Sequence, residues 1–267
     1  MATNINFDKK LGITGGTGIS FPSSTPPSFE DIYSYQFDGV DDYIDCNSAV
    51  DTIKTDTQGT ISAWVKISSS GTIFLVSDIS EQRRFLYFHI KGDLKLYSQL
   101  RNAGGNTSGW IIETDDALSL NTWYHVAVVQ NAVSPKLYVN GDYVAQTLVV
   151  GNQDHRWING LGFVSADNIN IGRLKTSDLD QSYFDGLIDE VSYFSSALSS
   201  TDIETIYNNG VPNNLNKLSP PPTIWYRMGE EANYAGGEWT LTDQGSGGND
   251  GTSDTLPPEA LSTDVPT

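Results

Sequence analysis

Along residues 33–194, apolar and polar positions alternate in short runs. Ile61, Ala63, Val65 and Ile67 alternate with Ser62, Trp64 and Lys66, and Tyr33, Tyr35 and Phe37 follow the same rule. The most apolar run covers residues 121–129. A period of two is the signature of a half-buried strand. Turn residues punctuate the runs. Lys91-Gly92-Asp93 and Asn140-Gly141-Asp142 each separate two of them, where a hairpin needs residues that tolerate a left-handed backbone. Only residues 199–209 change period. Ser199 and Asp202 have the spacing of a capping box, Ile203, Ile206 and Tyr207 share a helical face, and Asn208-Asn209-Gly210 ends the helix. Many short strands with one closing helix predict a β-sandwich or barrel.

The strand expected over residues 184–194 carries two acids. Strict alternation places Leu187, Asp189, Val191 and Tyr193 on one face and Ile188, Glu190, Ser192 and Phe194 on the other. Asp189, among apolar neighbours, is then the shielded carboxylate, and a shielded carboxylate needs a cation or several donors. The Phe-Asp-Gly that opens this run recurs at Phe37-Asp38-Gly39, just ahead of Asp41 and Asp42.

Charge and composition narrow the function. A net charge of −18 removes the basic footprint that nucleic acids require, and it suits divalent cations. Cys46 is the sole cysteine, so there is no intrachain disulfide. No apolar run approaches the length of a membrane span, which predicts no membrane insertion. Met1-Ala2-Thr3-Asn4 has no basic and apolar signal regions, so folding in a reducing compartment is expected. Residues 1–30, rich in Gly and Pro, read as an extended arm whose Ile13, Ile19 and Phe21 gain order against a neighbouring subunit. Residues 31–210 hold the strands and the helix. Residues 211–223 form a spacer stiffened by Pro220-Pro221-Pro222, and residues 224–267 follow as a C-terminal segment.

The ordered set of motifs resembles a known family. Residues 37–44, 61–66, 120–128, 136–141, 171–173, 184–191 and 197–199 are similar, in order, to the laminin-G-like jelly rolls of the concanavalin-A-like lectin/glucanase superfamily. The resemblance implies an all-β fold, an antiparallel two-sheet jelly-roll sandwich with one short C-terminal helix and extended terminal arms. Trp225-Tyr226-Arg227-Met228-Gly229-Glu230 resembles the segment that normally opens such a domain, which implies a permuted sandwich completed from the C-terminus. The resemblance also implies a calcium site at Asp189, with Asp38, Asp41 or Asp42 completing an oxygen shell; backbone donors are the alternative. Glucanase relatives carry acids spaced Glu-x-Asp-x-x-Glu or Glu-x-Asp-x-Glu on one strand. No such triplet occurs here, and an enzyme is not expected.

Sugar binding needs an aromatic platform beside polar loop residues. Two candidates have that composition: Tyr97 and Trp110 with Arg101 and Asn102, and His155 with Trp157. The competing reading puts both tryptophans in the core or at a subunit contact, and Trp is frequent at interfaces. The small domain and the tail Gly248-Asn249-Asp250-Gly251-Thr252 resemble virion proteins of tailed bacteriophages. The expected protein is a non-enzymatic virion component assembled in the host cytoplasm. Its partners would be other virion proteins, further copies of itself and host-surface glycans. A free-standing carbohydrate-binding lectin module is the alternative.

Overall fold

β-branched and aromatic residues alternate with polar ones through most of the chain, and strands form where they do. The structure is a computed structural model that describes residues 29–80, 84–101, 108–151, 155–159 and 166–267. The strands are β1 Ser34–Asp38, β2 Ile44–Asp45, β3 Gly59–Ile67, β4 Gly71–Ser77, β5 Phe85–Ile90, β6 Leu96–Arg101 and β7 Ser108–Thr114. Next come β8 Trp123–Gln130, β9 Pro135–Val139, β10 Asp142–Tyr143, β11 Gln146–Gly151, β12 Asn168–Ile171, β13 Leu174–Lys175, β14 Asp180–Gln181 and β15 Asp185–Phe194. The last are β16 Ile224–Tyr226, β17 Met228–Ala235, β18 Glu238–Leu241, β19 Gly251–Ser253 and β20 Leu261–Ser262. The helices are α1 Val50–Ile53 and α2 Ser200–Tyr207. The capping box forms as its spacing predicts: the Ser199 side chain accepts from Asp202 N, and Asp202 Oδ2 accepts from Ser199 N. The single turn of α1 and the edge strand β11 go beyond the pattern-based expectation.

Two antiparallel sheets stack face to face, as expected for a jelly-roll sandwich. One runs β10-β9-β8-β3-β15-β1-β20 with β16 also on β15, and the other runs β11-β7-β6-β5-β4-β12-β2-β19-β18-β17. Between them lies the main core, including Phe37, Val65, Phe74, Phe88, Trp110, Trp157, Ile188 and Tyr193. A second cluster seats α2 on the back of the smaller sheet through Ile203, Ile206, Phe194 and Trp225. The C-terminal segment contributes to both sheets: β16 pairs with β15, β20 with β1, and β19 with β2. Most of the predicted arm, residues 1–28, lies outside the described residues.

β15 has an unusual edge. β1 covers its first half, Asp185 to Ile188, and β16 covers its second half, Val191 to Tyr193. The two half-strands meet end to end, leaving Asp189 and Glu190 at the seam. On the opposite edge the register with β3 shifts between Asp189 and Ser192, and Glu190 has φ +50. This is a β-bulge, and it overturns strict alternation. Ile188 faces the main core ahead of the bulge; Val191 and Tyr193 face it beyond. Asp189 pairs with Trp64, whose side chain stacks on His125 and Tyr207 outside the main core. Asp189 is therefore on the outer face of the sheet, not on the face of Val191 and Tyr193.

Gly186 shows how tightly β15 is held. Its φ is +138, and a Cβ there would sit 2.3 Å from Lys66 O. A Gly186→Ala protein is expected to melt at a clearly lower temperature than wild type, because both backbone strain and a main-chain clash arise. Removing residues 219–267 strips β16 and β20 from buried edges. The shortened chain is expected to aggregate on size-exclusion chromatography, and a monomer with unchanged melting would contradict the pairing.

Candidate cation and ligand sites

At the seam, chain segments from both ends of the domain converge on β15. Glu230 Oε1 accepts from Ile32 N at 2.6 Å and from Tyr33 N at 3.0 Å, which ties the approach to β1 onto β17. Arg227 reaches back to Glu30 O, its guanidinium lies 4.1 Å from the centre of the Phe29 ring, and its Nε donates to Glu190 Oε1 at 3.1 Å. Trp225 Nε1 donates to Glu190 Oε2. Glu190 is thus buried with partners.

Its neighbours are not. Asp189 is fully buried; its Oδ1 accepts only from Glu190 N, at 2.7 Å, and its Oδ2 has no partner. Both Asp31 carboxylate oxygens, Glu230 Oε2 and the hydroxyl of the fully buried Tyr35 also lack partners. One oxygen each from Asp31, Asp189 and Glu190 lies within 4.8 Å of the others. Asp31, Asp189, Glu190 and Glu230 face a single guanidinium, Arg227. Burial pushes the Asp31 carboxyl up to about 7, with the Glu230 charge adding to it. Burial raises Asp189 well above the carboxylate range, with Asp31 next in effect, and raises Glu190 despite Arg227. These shifts favour the protonated forms, because burial disfavours the charges and Arg227 offsets them only in part. An all-oxygen, carboxylate-rich donor set with orphaned lone pairs fits a hard divalent cation such as calcium.

The sequence-based oxygen shell divides in two. Asp38, Asp41 and Asp42 form a separate cluster at the exposed turn after β1. Asp38 lies opposite Asp185, four residues before Asp189, so about 13 Å of strand separates the clusters. The turn satisfies itself: Asp38 Oδ1 accepts from Val40 N at 2.8 Å and Asp42 Oδ2 from Asp38 N at 3.0 Å. Burial, with Asp38 next, pushes Asp42 up to about 6. Asp31 and Glu230 carry no sequence signal, since only folding brings positions so far apart together.

The predicted sugar residues also separate. Trp110 and Trp157 are both fully buried and stack on each other, 6.2 Å apart and 7° from parallel, inside the core. Trp110 Nε1 donates to Arg156 O, and Trp157 Nε1 to Tyr193 OH, each at 2.9 Å. Neither can be a sugar platform, which corrects that assignment in favour of the core reading. The core captures them because each indole N–H finds an internal acceptor. His155 is exposed beside a recess of about 420 Å³ lined by Thr57, Ala132 and Arg156. Asn102 lies outside the described residues.

Tyr97 and Arg101 do share a surface. On β5 the core takes Leu86, Phe88 and Ile90, so Phe85, Tyr87 and His89 point outward; on β6 Tyr97, Gln99 and Arg101 do so. His89 is directly opposite Tyr97, and Tyr87 opposite Gln99. The Tyr87 and Tyr97 rings meet edge to face at 5.6 Å, and Tyr97 OH donates to Gln99 Oε1 at 3.1 Å. His89 Nδ1, Thr72 Oγ1 and Arg101 Nε are buried without hydrogen-bond partners. Burial lowers the His89 imidazole to about 4, so it is neutral near pH 7. The result is an aromatic floor with unused polar atoms on the outer face of the larger sheet. Alternation along residues 85–90 could have flagged Tyr87 and His89.

Two stacked antiparallel sheets with an aromatic and polar outer face define a lectin-type sandwich. Residues 38–204 match the family model of the concanavalin A-like lectin/glucanases superfamily, and the chain belongs to that family. No curated protein matches the sequence. Among solved structures, a putative carbohydrate binding protein from Bacteroides ovatus is 16% identical with a TM-score of 0.57; the match covers 89% of this chain but only 62% of that one. The CBM40 of the Ruminococcus gnavus IT-sialidase, bound to α2,3-sialyllactose, is 18% identical with a TM-score of 0.52, covering 67% of this chain and 96% of that one. The leech intramolecular trans-sialidase is 20% identical with a TM-score of 0.52, covering 89% and 37%. At these identities the likeness is one of fold.

The seam gives a pH-dependent test. The raised carboxyl pKa values mean that folding takes up protons, a stabilisation fully present below about pH 4 and lost as pH rises through about 7. A divalent cation bound there would replace those protons. The gap in melting temperature between calcium-loaded and metal-free protein is expected to widen from pH 5 to pH 8. At a hundredfold excess over the dissociation constant it corresponds to about 2.7 kcal/mol. Asp189→Asn should abolish the gap; equal melting with and without calcium at pH 8 would count against the site.

Proposed function

We propose that this protein is a non-enzymatic glycan-binding jelly roll, using the outer face formed by β4 to β7. The observation that carries this reading is the cluster of half-buried Tyr87, Tyr97 and His89 rings on one outer face of the larger sheet. Sugar rings stack on aromatic faces through their apolar C–H surfaces. Family membership and the carbohydrate-binding proteins among the fold neighbours support the same reading. No described pair of acids shares this face as a hydrolytic site would require; Glu113 there is paired with Lys91 and Lys95.

Asp31, Asp189, Glu190 and Glu230 would hold a calcium ion, which locks the strands of the seam and takes no part in sugar contact. The setting on a bacteriophage virion, as a homo-oligomer beside other virion proteins, is supported by the sequence resemblance of the domain and its tail. Mass spectrometry of purified particles tests that setting.

Glycan-array binding tests the function directly. The full-length protein is expected to bind, and Tyr97→Ala to weaken binding about tenfold, as befits an aromatic contact worth about 1 kcal/mol or more. A folded wild-type protein that binds no glycan on a broad array would refute the reading.

A further inference from the structure

The distribution of charge on this face narrows the class of sugar, an inference that rests on the glycan-binding reading. The chain has 33 acidic and 15 basic residues. Six of the basic ones, Arg84, Lys91, Lys95, Arg101, Arg173 and Lys175, come from β5, β6 and the elements flanking them. Five are neutralised within the protein. Arg84 pairs with Asp78 at 3.2 Å, Lys91 and Lys95 with Glu113 at 2.6 and 3.6 Å, and Arg173 and Lys175 with Asp180.

Arg101 is the exception. Its buried Nε makes no hydrogen bond, and it has no ion pair among the described residues. Yet its charge is felt at the floor of the face, where it favours the ionised form of both the Tyr87 and the Tyr97 hydroxyl. A guanidinium in a chain of net charge −18 has an abundance of carboxylates to pair with, and among the described residues none pairs with this one. The chain's remote acids do not offset it for a ligand, because charges more than about 8 Å away are screened at physiological salt.

We propose that the face takes an oligosaccharide carrying a carboxylate, which pairs with Arg101 while the sugar ring packs on Tyr87 and Tyr97. The guanidinium fork matches a carboxylate in plane and spacing, so the pair gives orientation as well as attraction. Binding an anion here requires no rearrangement of existing ion pairs.

The test uses matched oligosaccharides in calorimetric titration of the full-length protein: oligogalactose, oligogalacturonate, a sulfated oligogalactose, lactose and sialyllactose. Wild type is expected to bind at least one carboxylated member ten or more times as tightly as its neutral counterpart. Arg101→Gln is expected to lose that preference, binding the carboxylated and neutral members with equal affinity, while keeping the wild-type melting temperature. Equal wild-type affinity for neutral and carboxylated partners, a preference restricted to the sulfated sugar, or a preference that survives in Arg101→Gln would each overturn the proposal and leave glycan binding standing. Failure of folded wild type to bind any of the five sugars would overturn both readings.

Discussion

Everything at the seam follows from one constraint: a single edge of β15 is shared by two half-strands from opposite ends of the domain. β1 and β16 cannot both reach Asp189 and Glu190, so two backbone positions go without a neighbour on that side. The strand absorbs the break as a bulge, with Glu190 in a left-handed conformation that side chains rarely adopt. The bulge turns both acids away from the apolar core and toward the point where residues 29–33 and 227–230 cross. A buried carboxylate without a partner is among the costliest groups in a protein. Arg227 and Trp225 resolve this for Glu190. Asp189, Asp31 and Glu230 keep oxygens for which a bound proton or cation is the remaining partner.

The same arrangement keeps the ligand face separate from the cation cluster. Asp189 and Glu190 of the cluster lie on β15 of the smaller sheet, with Glu230 reaching in from β17, and the aromatic floor lies on β5 and β6 at the outer side of the larger sheet. Between them stands the main core, with Trp110 and Trp157 stacked in it. A rigid core behind β5 and β6 fixes the spacing of Tyr87, Tyr97 and Arg101, and sites built on strands hold geometry better than sites on loops.

Period-two alternation was sufficient to determine the fold class. It marks one face of β3 as apolar whatever its partners, and the helix at 200–207 was legible because its caps are local. The run Ile224-Trp225-Tyr226 could be seen as strand-forming for the same reason. Arg101 read as the start of a Gly- and Asn-rich loop; the structure extends β6 to it, and only then does it share the outer face of Tyr97. Local pattern failed where a partner strand ended. Nothing between residues 184 and 194 signals that two strands meet there, so the bulge, and with it the side on which Asp189 falls, was invisible.

Tertiary structure decided the rest, for a physical reason that recurs at each site. Whether a tryptophan is a platform or a core residue depends on whether its N–H finds an acceptor inside; Arg156 O and Tyr193 OH supplied those acceptors, and both indoles went inward. Whether an acid is a ligand or a turn-former depends on which other acids the chain's return brings to it. Asp38 and Asp42 found backbone N–H groups within their own turn, whereas Asp189 met Asp31 and Glu230 from segments that are distant along the chain. The sequence by itself determined which residues could be buried and in what kind of element. Only the closed sandwich determined which buried charges were left without a partner, because pairing is a property of neighbours in space.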